Sequence, residues 1–518
     1  MMTWISAVGA VSGSLLGLRA YASHQLPIKP SEVEVQAAPS DSPLATLVNQ
    51  GLASVTQASA DDSLFYPLDN PRLALLTRIR LADMATHSID AQYYLFHDDQ
   101  AGRALLGALA EAAQRGVKVR LLMDEMDTLY REPHLLRFIA DNPNIQLRIF
   151  NPCWLRGYKR YLEFAARFPQ VTRRMHNKSY TADQIASVVG GRNIGNEYFD
   201  VFADVAFADL DLLVAGQVGQ RITEDFAAYW HSGLAFPLER LGKPASERSY
   251  QKWLTRLQQD LTAYRTEVNH QQNTLHELLE KSKQSTYNAP INVLCDPPNK
   301  VITPYVGPNH QILPNIKKLM EQAQQELFIM SAYFIPGKPG MEIFQALRER
   351  GVNITILTNS LVANDVPAVH AGYKNYRKAL LAMGVKLYEL KSLNNDAEKE
   401  DWSLFGSKRA SLHAKSFVID RNTAFVGSFN LDPRSALHNT EMGVYFDNPA
   451  YAEQVVKVAQ ARLVRHAYEV TLNEQNALQW LSHNADGSTE TYHHEPETKL
   501  WQRAIVEALS KLPVEWFL

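Results

Sequence analysis

The chain has 518 residues, of which 46% are hydrophobic and 21% are charged, and its formal net charge is −3. This length and composition are those of a globular protein with two or three domains. The near-neutral charge argues against a dedicated nucleic-acid binder, which ordinarily has a clear basic excess. Two isolated cysteines, Cys153 and Cys295, exclude a disulfide framework and a cysteine-based zinc site.

The first 22 residues fit a signal peptide or a membrane anchor. The stretch 4–18 carries no charge, but a helix of that length spans about 22 Å, less than the roughly 30 Å hydrocarbon core of a bilayer. Ala20-Tyr21-Ala22 is typical of a cleavage site, although no Lys or Arg precedes Arg19. A secretory signal, an uncleaved anchor and neither of the two stay open. Residues 23–62, rich in Pro, Ser, Ala and Asp, are predicted to form a linker.

Helices and strands alternate after the linker. Asn70-Pro71 followed by apolar residues at helical spacing predicts a capped helix over 71–81. A strand over 88–95, a helix over 105–114 and a buried strand over 117–123 complete a β-α-β unit. The same order returns later in the chain, as a helix over 316–325, a strand over 327–334, a helix over 343–349 and a strand over 352–358.

The repeat covers a whole domain, because the turn Arg115-Gly116-Val117 also recurs, as Arg350-Gly351-Val352. We therefore predict an α/β protein made of two pseudo-twofold-related domains, each a mixed sheet flanked by helices, with the active site at their interface. The first domain is assigned to 63–245 and the second to 289–465. Residues 246–288 are predicted to form a helical connector, with a solvated helix over 250–280 or one that contacts a membrane or partner. Residues 466–518 are predicted to form a helical tail.

Two short stretches of the chain are near copies of each other. In both, Lys follows His by two residues, Asp by seven, Gly by fourteen and Asn by seventeen. The two sets are His176, Lys178, Asp183, Gly190 and Asn193, and His413, Lys415, Asp420, Gly427 and Asn430. The copies start 237 residues apart, and identical spacing over five positions is not a chance match.

The spacing indicates a phosphate site. His and Lys, two positions apart on a strand, point to the same face, whereas the Asp faces the other way and is better placed to support the site than to touch substrate. The glycine turn and the Asn let backbone and an amide donor approach an anion. Doubling the unit supplies two imidazoles, two ammonium groups and two amides for one phosphodiester. Because no carboxylate cluster suited to Mg²⁺ accompanies the motifs, we expect no metal and no cofactor.

Two histidines suit phosphodiester exchange through a covalent intermediate. One would attack phosphorus and form a phosphohistidine, while the other protonates the leaving alcohol and then deprotonates the incoming hydroxyl. An ordinary His pKa near 6.5 suits both roles. Each imidazole needs an acceptor on its far nitrogen. Asp204 and Glu441, each 28 residues past a motif His, are the predicted orienting carboxylates, with Asp209 and Asp211 as competitors of Asp204.

The paired motifs resemble the phospholipase D superfamily, over residues 65 to 465, and within it bacterial cardiolipin synthases, especially their C-type branch. The strings that carry the resemblance are Arg173-Arg174-Met175-His176-Asn177-Lys178, residues 190–199, residues 427–435 and Leu512-Pro513-Val514-Glu515. It implies transfer of a phosphatidyl group from phosphatidylglycerol or phosphatidylethanolamine to a second phosphatidylglycerol, with His176 as nucleophile and His413 as acid and base. Asn193, Asn430 and the Ser428 hydroxyl would bind the phosphate, although Gly191 replaces this Ser in the first copy.

The resemblance further implies anionic phospholipid substrates, a membrane surface as partner, no nucleic acid, and a place at the bacterial inner membrane, peripheral or N-terminally anchored, its side left open. Residues 154–174 interleave basic and aromatic side chains, which suits an anionic interface at the cleft mouth or an ordinary solvated helix. The final Trp516-Phe517-Leu518 would pack on the core or lie at a lipid interface. Competing functions are a phospholipase D hydrolase with water as acceptor, a phosphodiesterase nuclease and a noncatalytic membrane-binding protein.

Overall fold

The computed structural model of the protein describes residues 35–54, 59, 61–127, 132–199, 206–270, 286–302, 312–364, 366–392, 410–484 and 486–512. The segments predicted to be a signal or anchor (1–22) and the terminal Trp516-Phe517-Leu518 lie outside the described residues. Within the described ranges, no helix has both the length and the apolarity needed to cross a bilayer.

The first half of the chain forms a nine-stranded sheet in the order β10-β1-β8-β6-β5-β2-β3-β4-β9. Strands β2, β3 and β4 are parallel, and the other neighbours are antiparallel. The strands are β1 (Asp62–Leu68), β2 (Ser88–Tyr93), β3 (Lys118–Asp124), β4 (Ile145–Phe150), β5 (Ser179–Ala182), β6 (Ala186–Gly190), β8 (Asp211–Ala215), β9 (Ala235–Pro237) and β10 (Tyr287–Pro290).

The second half forms a ten-stranded sheet in the order β11-β18-β17-β16-β12-β13-β14-β19-β20-β21, again with three parallel strands, β12 to β14. The strands are β11 (Asn292–Cys295), β12 (Glu326–Ser331), β13 (Asn353–Asn359), β14 (Lys386–Leu390), β16 (Lys415–Ile419), β17 (Thr423–Gly427), β18 (Met442–Asp447), β19 (Ala467–Leu472), β20 (Leu478–His483) and β21 (Thr489–Tyr492). A short parallel pair, β7 (Ala206–Ala208) and β15 (Ala410–Leu412), joins the halves.

The helices of the described residues flank both sheets. They are α1 (Pro43–Ser54), α2 (Pro71–Met84), α3 (Gln100–Gln114), α4 (Glu132–Asp141), α5 (Arg160–Ala166), α6 (Phe168–Val171), α7 (Asn196–Phe199), α8 (Gln217–Trp230), α9 (Glu247–His270), α10 (Ile312–Glu321), α11 (Gly337–Glu349), α12 (Pro367–Lys374), α13 (Arg377–Ala382), α14 (Pro433–Leu437), α15 (Pro449–His466) and α16 (Leu500–Ser510). Short 3₁₀ turns cover Glu125–Asp127, Gly157–Lys159, Leu238–Arg240 and Pro298–Val301.

The predicted order of elements and the two related mixed sheets are confirmed. The Asn70 side chain accepts a hydrogen bond from the Leu73 amide at 3.0 Å and caps α2. Gly116 (φ 98°) and Gly351 (φ 85°) end α3 and α11 in the left-handed conformation that glycine adopts without steric cost. The repeated Arg-Gly-Val turn therefore marks the same helix-to-strand junction in each half.

Three segments differ from the sequence-based assignment. The predicted linker contains α1 and the start of β1. The predicted helical tail begins with three strands, β19 to β21, whose residues alternate as strands do, and only α16 is helical. The connector helix α9 buries one full face on α3, because Trp253, Leu257 and Leu261 recur at helical spacing.

One apolar cluster joins the two sheets. It includes Phe65 and Leu212 from the first sheet and Val426 and Phe446 from the second, and the ring centroids of Phe65 and Phe446 lie 4.3 Å apart. Each fully buried apolar side chain of this size contributes about 1.5–3 kcal/mol. The two halves are therefore held together by a hydrophobic interface and not only by polar contacts at a cleft.

The motif aspartates close the ends of the parallel strands. Asp183 accepts hydrogen bonds from the successive amides of Thr86, His87 and Ser88 at 3.0, 2.8 and 2.9 Å, at the start of β2. Asp420 does the same for the amides of residues 324–326 at the start of β12, at 2.7–2.8 Å. Both have positive φ, 51° and 50°, which Asp tolerates better than most residues. The seventh motif position thus combines a tight turn with an acceptor for three amides.

The Asp183→Asn variant should unfold about 1–3 kcal/mol more easily than the wild type at pH 7, because it loses charge-assisted hydrogen bonds to buried donors. Burial alone would raise the pKa of Asp183, but hydrogen bonds from Ser42 and from the backbone of Ser88 and Thr86 bring it below its ordinary value. The contribution is therefore present above the unfolded-state pKa of about 3.9 and is lost as the pH falls through the folded-state value.

Urea unfolding midpoints measured at pH 7 and at pH 3 test this prediction. The gap between wild type and Asp183→Asn should narrow at the lower pH, while Asp61→Asn, a substitution at an exposed carboxylate, should unfold like the wild type. An equal gap at both pH values contradicts the charge-based explanation.

Candidate active site

Each motif histidine is held by backbone atoms of the opposite half. The amide of His176 donates to the carbonyl of Thr440 at 2.9 Å, and the amide of His413 donates to the carbonyl of Ala208 at 2.7 Å. Thr440 and Ala208 each immediately precede an acidic residue, Glu441 and Asp209 respectively. The two motif copies are therefore brought to one pocket by a reciprocal exchange of main-chain hydrogen bonds.

The imidazole rings follow the same crossed pattern. His176 Nδ1 lies 2.8 Å from Glu441 Oε2, and His413 Nδ1 lies 2.5 Å from Asp209 Oδ2. Both carboxylates are fully buried, and both histidines are less than a tenth exposed. With Nδ1 engaged by a carboxylate, Nε2 is the ring nitrogen directed to chemistry.

The structure reassigns one predicted orienting carboxylate. The partner of His413 is Asp209, and Glu441 serves His176 of the other half, whereas Asp204 lies outside the described residues. Equal distance from the two histidines selected Asp204 because the halves were counted as equal in length. From the motif Asn to the acid there are 16 residues in the first half and 11 in the second. Register gives the true equivalence, since each acid lies two residues before the strand partner of the motif Gly.

The two lysines lie beside the histidines, as alternation on a strand predicts. Lys178 Nζ donates to the carbonyl of His176 at 2.7 Å, and Lys415 donates to the carbonyl of His413. Both are almost fully buried. An ammonium group has three donors, so each lysine can hold its loop through one and offer others to a phosphate.

Ser428 contacts the positioning carboxylate, although the sequence analysis places it on the phosphate. Its hydroxyl donates to Glu441 Oε2 at 2.5 Å. At the corresponding Gly191, a Cβ would lie 2.2 Å from Asp209 Oδ1. The Ser-to-Gly difference therefore matches the acid on each side, because a hydroxyl steadies Glu441 where a missing side chain makes room for Asp209.

Gly190 and Gly427 serve strand packing and not the approach to an anion for which they were predicted. A Cβ at Gly190 would lie 2.5 Å from the backbone of Asp211, and one at Gly427 would lie 2.5 Å from the Met442 carbonyl. Distances under 3.0 Å exclude any side chain without movement of the neighbouring strand. The motif Gly thus lets β6 and β17 approach β8 and β18 closely.

The motif asparagines and two tyrosines complete the pocket. Asn193 Oδ1 accepts from the Leu95 amide at 3.2 Å and its Nδ2 donates to the Tyr198 hydroxyl at 2.9 Å, while Asn430 Oδ1 is buried without a hydrogen-bond partner. The ring of Tyr198 meets His413 edge-on at 5.3 Å, and that of Tyr94 meets His176 at 5.1 Å. Sequence reasoning missed both tyrosines because neither is repeated in the other half.

Burial and mutual repulsion govern the charges of the site. Burial lowers the pKa of His176 to about 4, with Lys178 and Lys415 acting in the same direction and Glu441 against them. Burial, together with Lys415, also lowers the pKa of Lys178 to about 7, against Glu441 and Asp209. The pKa of His413 falls well below its ordinary value through burial and both lysines. The histidines are therefore neutral at pH 7 in the empty pocket, and a bound anion would relieve the repulsion.

Buried cations steady the two positioning carboxylates from behind. Asp296 accepts from the Glu441 amide at 3.1 Å and from Lys300 Nζ at 2.8 Å, and both Asp296 and Lys300 are buried. On the other side, Arg192 donates to the carbonyl of Asp209 at 2.5 Å. No repeated motif marks these groups, so the sequence gave no signal for them.

Asp183 and Asp420, predicted as site residues, lie at the far ends of β5 and β16 and not in the pocket. A different group, His97, Asp99 and Glu197, has donor atoms close enough to hold a metal among the described residues. However, Asp99 caps α3 through the Gly102 amide at 3.0 Å, and His97 Nδ1 lies 3.0 Å from Glu197. These contacts account for the group, and we assign it no metal.

A family model described as the phospholipase D-like domain of cardiolipin synthase matches residues 78–230 and again residues 316–463. Cardiolipin synthase C of Escherichia coli strain K12 is 38% identical over 472 residues, which are 88% of this chain and 96% of the relative. The chain belongs to this family. The predicted resemblance is confirmed, and the two matched segments coincide with the two motif-bearing halves.

More distant proteins agree. Cardiolipin synthase B of Shigella flexneri is 26% identical over 364 residues, 70% of each chain. The crystal structure of phosphatidylserine synthase from Haemophilus influenzae Rd KW20 superposes with a TM-score of 0.56, at 15% identity over 90% of this chain and 96% of that chain. At this identity the similarity concerns the fold alone.

Asp209→Asn should lower kcat by a factor on the order of 10² to 10⁴, because an amide cannot hold the His413 tautomer that a carboxylate selects. Asp204→Asn should stay close to the wild type, since the acceptor of His413 remains. Turnover of a phospholipid substrate checks both variants, with circular dichroism to verify folding. An inactive Asp204→Asn beside an active Asp209→Asn would reverse the assignment.

The pH profile of kcat/KM should fall below about 4, where His176 becomes protonated, and above about 7, where Lys178 loses its charge. Because Glu441 raises the pKa of His176, Glu441→Gln should move the acidic limb to still lower pH while reducing the plateau. Initial rates from pH 3.5 to 9 in mixed micelles measure both limbs. A profile centred on an unshifted histidine near 6.5 would contradict the buried site.

Proposed function

We propose that the protein forms cardiolipin by phosphatidyl transfer through a phosphohistidine. The observation that carries the proposal is the pair of buried imidazoles, each fixed at Nδ1 by a carboxylate of the opposite half, with two buried lysines beside them. Two bases around one phosphorus are what a double displacement requires. The family and its cardiolipin synthase relatives support the choice of phospholipids as substrates.

In the first step, His176 Nε2 attacks the phosphorus of the donor, phosphatidylglycerol or phosphatidylethanolamine. The phosphorus–oxygen bond to the headgroup alcohol breaks as His413 gives that alcohol a proton. Lys178, Lys415, Asn193 and Asn430 would hold the nonbridging oxygens, whose charge stays in place through the transition state. The negative phosphodiester opposes the two ammonium charges that lower the pKa of His413, so binding favours the protonated form that this step needs.

In the second step, neutral His413 removes the proton from the free glycerol hydroxyl of a phosphatidylglycerol. That oxygen attacks phosphorus, the phosphorus–nitrogen bond to His176 breaks, and cardiolipin leaves. His413 is again protonated and His176 free, so proton and charge balance over the cycle. Water in place of the second lipid would give phosphatidic acid instead. Exclusion of water from the pocket therefore decides between transfer and hydrolysis.

We further propose that the protein works at the bacterial inner membrane, as a peripheral protein or through an N-terminal anchor. The substrates of the proposed reaction support this location.

Purified protein incubated with phosphatidylglycerol, alone and with added phosphatidylethanolamine, should yield cardiolipin, detected by mass spectrometry. Acid quench should trap a labelled phosphoenzyme in His413→Ala, which can form but not resolve the intermediate, and none in His176→Ala. Phosphatidic acid as the sole product would favour hydrolysis, and cleavage of DNA would favour a nuclease. A phosphoenzyme seen in His176→Ala but not in His413→Ala would exchange the two roles.

A further inference from the structure

Two helices of the described residues expose large apolar side chains to solvent. On α16, Trp501 is 59% and Ile505 48% exposed, and Leu512 just beyond the helix is 56% exposed. Their spacing of four and seven residues forms one stripe, and the opposite face packs Val506 against Leu361 and Ala371. On α5, the neighbouring Tyr161 and Leu162 are 63% and 56% exposed. Soluble proteins rarely leave such groups uncovered without a binding role.

The basic residues around α5 do not make it an electrostatic surface. Arg156 binds Glu125 at 3.0 Å, Arg167 binds Glu163 at 2.5 Å, and Arg174 binds Asp124 at 3.3 Å. The sequence-based expectation of cations that meet lipid phosphates therefore fails for these three arginines, which are neutralised internally. What α5 presents outward is mainly apolar.

Both helices lie at the edge of the molecule that carries the cleft. Segment α5–α6 follows β4 and leads directly to His176, and Asn151, at the carboxyl end of β4, donates to the carbonyls of Gln170 and Arg173 at 3.1 and 3.0 Å. The Leu361 against which α16 packs follows the carboxyl end of β13. There Asn359 binds the Leu412 amide, next to His413, at 2.7 Å. Each half thus contributes one apolar helix beside the pocket.

We propose that this edge docks on the surface of a lipid bilayer, with Tyr161 and Leu162 on one side of the cleft and Trp501, Ile505 and Leu512 on the other. The docking relies on the proposed function only for the identity of the lipids. A flat apolar medium contacts both helices at once and leaves the cleft mouth facing its substrates. A second copy of the chain on the same faces would cover that mouth. Exposed Lys159 and Lys499 border the two helices, an arrangement typical of helices that lie in an anionic interface.

The test uses the full chain with single cysteines introduced by Ile505→Cys and Leu162→Cys and labelled with the environment-sensitive fluorophore NBD. Leu47→Cys is the matched control, because Leu47 is 52% exposed but lies on α1. That helix begins beside Ser42, which is bonded to Asp183 at the strand end away from the cleft. Wild-type protein treated in the same way gives the background from Cys153 and Cys295.

Vesicles of phosphatidylglycerol and phosphatidylethanolamine should raise the emission at positions 505 and 162 severalfold and shift it to the blue, with little change at position 47. The response should persist at high salt, since apolar insertion is not screened. Equal responses at all three positions, or none at 505 and 162, overturn the proposal. So does a response that depends on protein concentration without vesicles, which would indicate self-association.

A second measurement separates docking from chemistry. The double variant Leu162→Glu and Ile505→Glu should lose at least about fivefold of its activity on vesicles, because charged side chains resist insertion, yet should turn over monomeric short-chain phosphatidylglycerol like the wild type. Leu47→Glu should match the wild type on both substrates, and equal losses on both substrates in the double variant overturn the docking. A wild-type protein without transferase activity whose probes still respond to vesicles refutes the proposed function and supports the docking.

Discussion

The crossed contacts between the halves are the constraint on which the site depends. Each motif histidine donates its amide to the other half and shares its Nδ1 with a carboxylate of that half. Neither half can orient its own imidazole. The apolar interface around Phe65 and Phe446 therefore does more than stabilise the fold, because the position of that interface sets the position of both rings. Small changes in the packing of the sheets would act directly on the chemistry.

The pseudosymmetry is broken where two different roles are required. Burial alone would raise the pKa of Glu441, but the charges and hydrogen bonds of His176, Lys178 and Ser428 bring it below its ordinary value. The pKa of Asp209 is instead raised, mainly by burial. A firmly ionised Glu441 can balance the positive charge of a phosphorylated imidazole at His176. The more weakly ionised Asp209 suits a ring that must pick up and release a proton, which is the role proposed for His413.

Much of this arrangement could be predicted from repetition in the chain. Two identical spacings gave the His and Lys side chains of the pocket, and hydrophobic periodicity gave the order of helices and strands. What repetition could not give is where the halves differ. The acid opposite His413 was misassigned because one loop is longer, and Ser428 was placed on phosphate because its partner comes from a later strand. The arginines near α5 seemed available to lipid because their carboxylate partners, such as Glu125, lie some 30 residues earlier.

Strand β10 has a consequence for how the chain must be assembled. It follows the connector, just ahead of the second half, yet pairs along β1 at the margin of the first sheet. A protein divided after α9 would leave β1 with unsatisfied amides and carbonyls along a row of apolar residues, an invitation to pair with other chains. The fold thus makes the younger part of the nascent polypeptide a guardian of the older one.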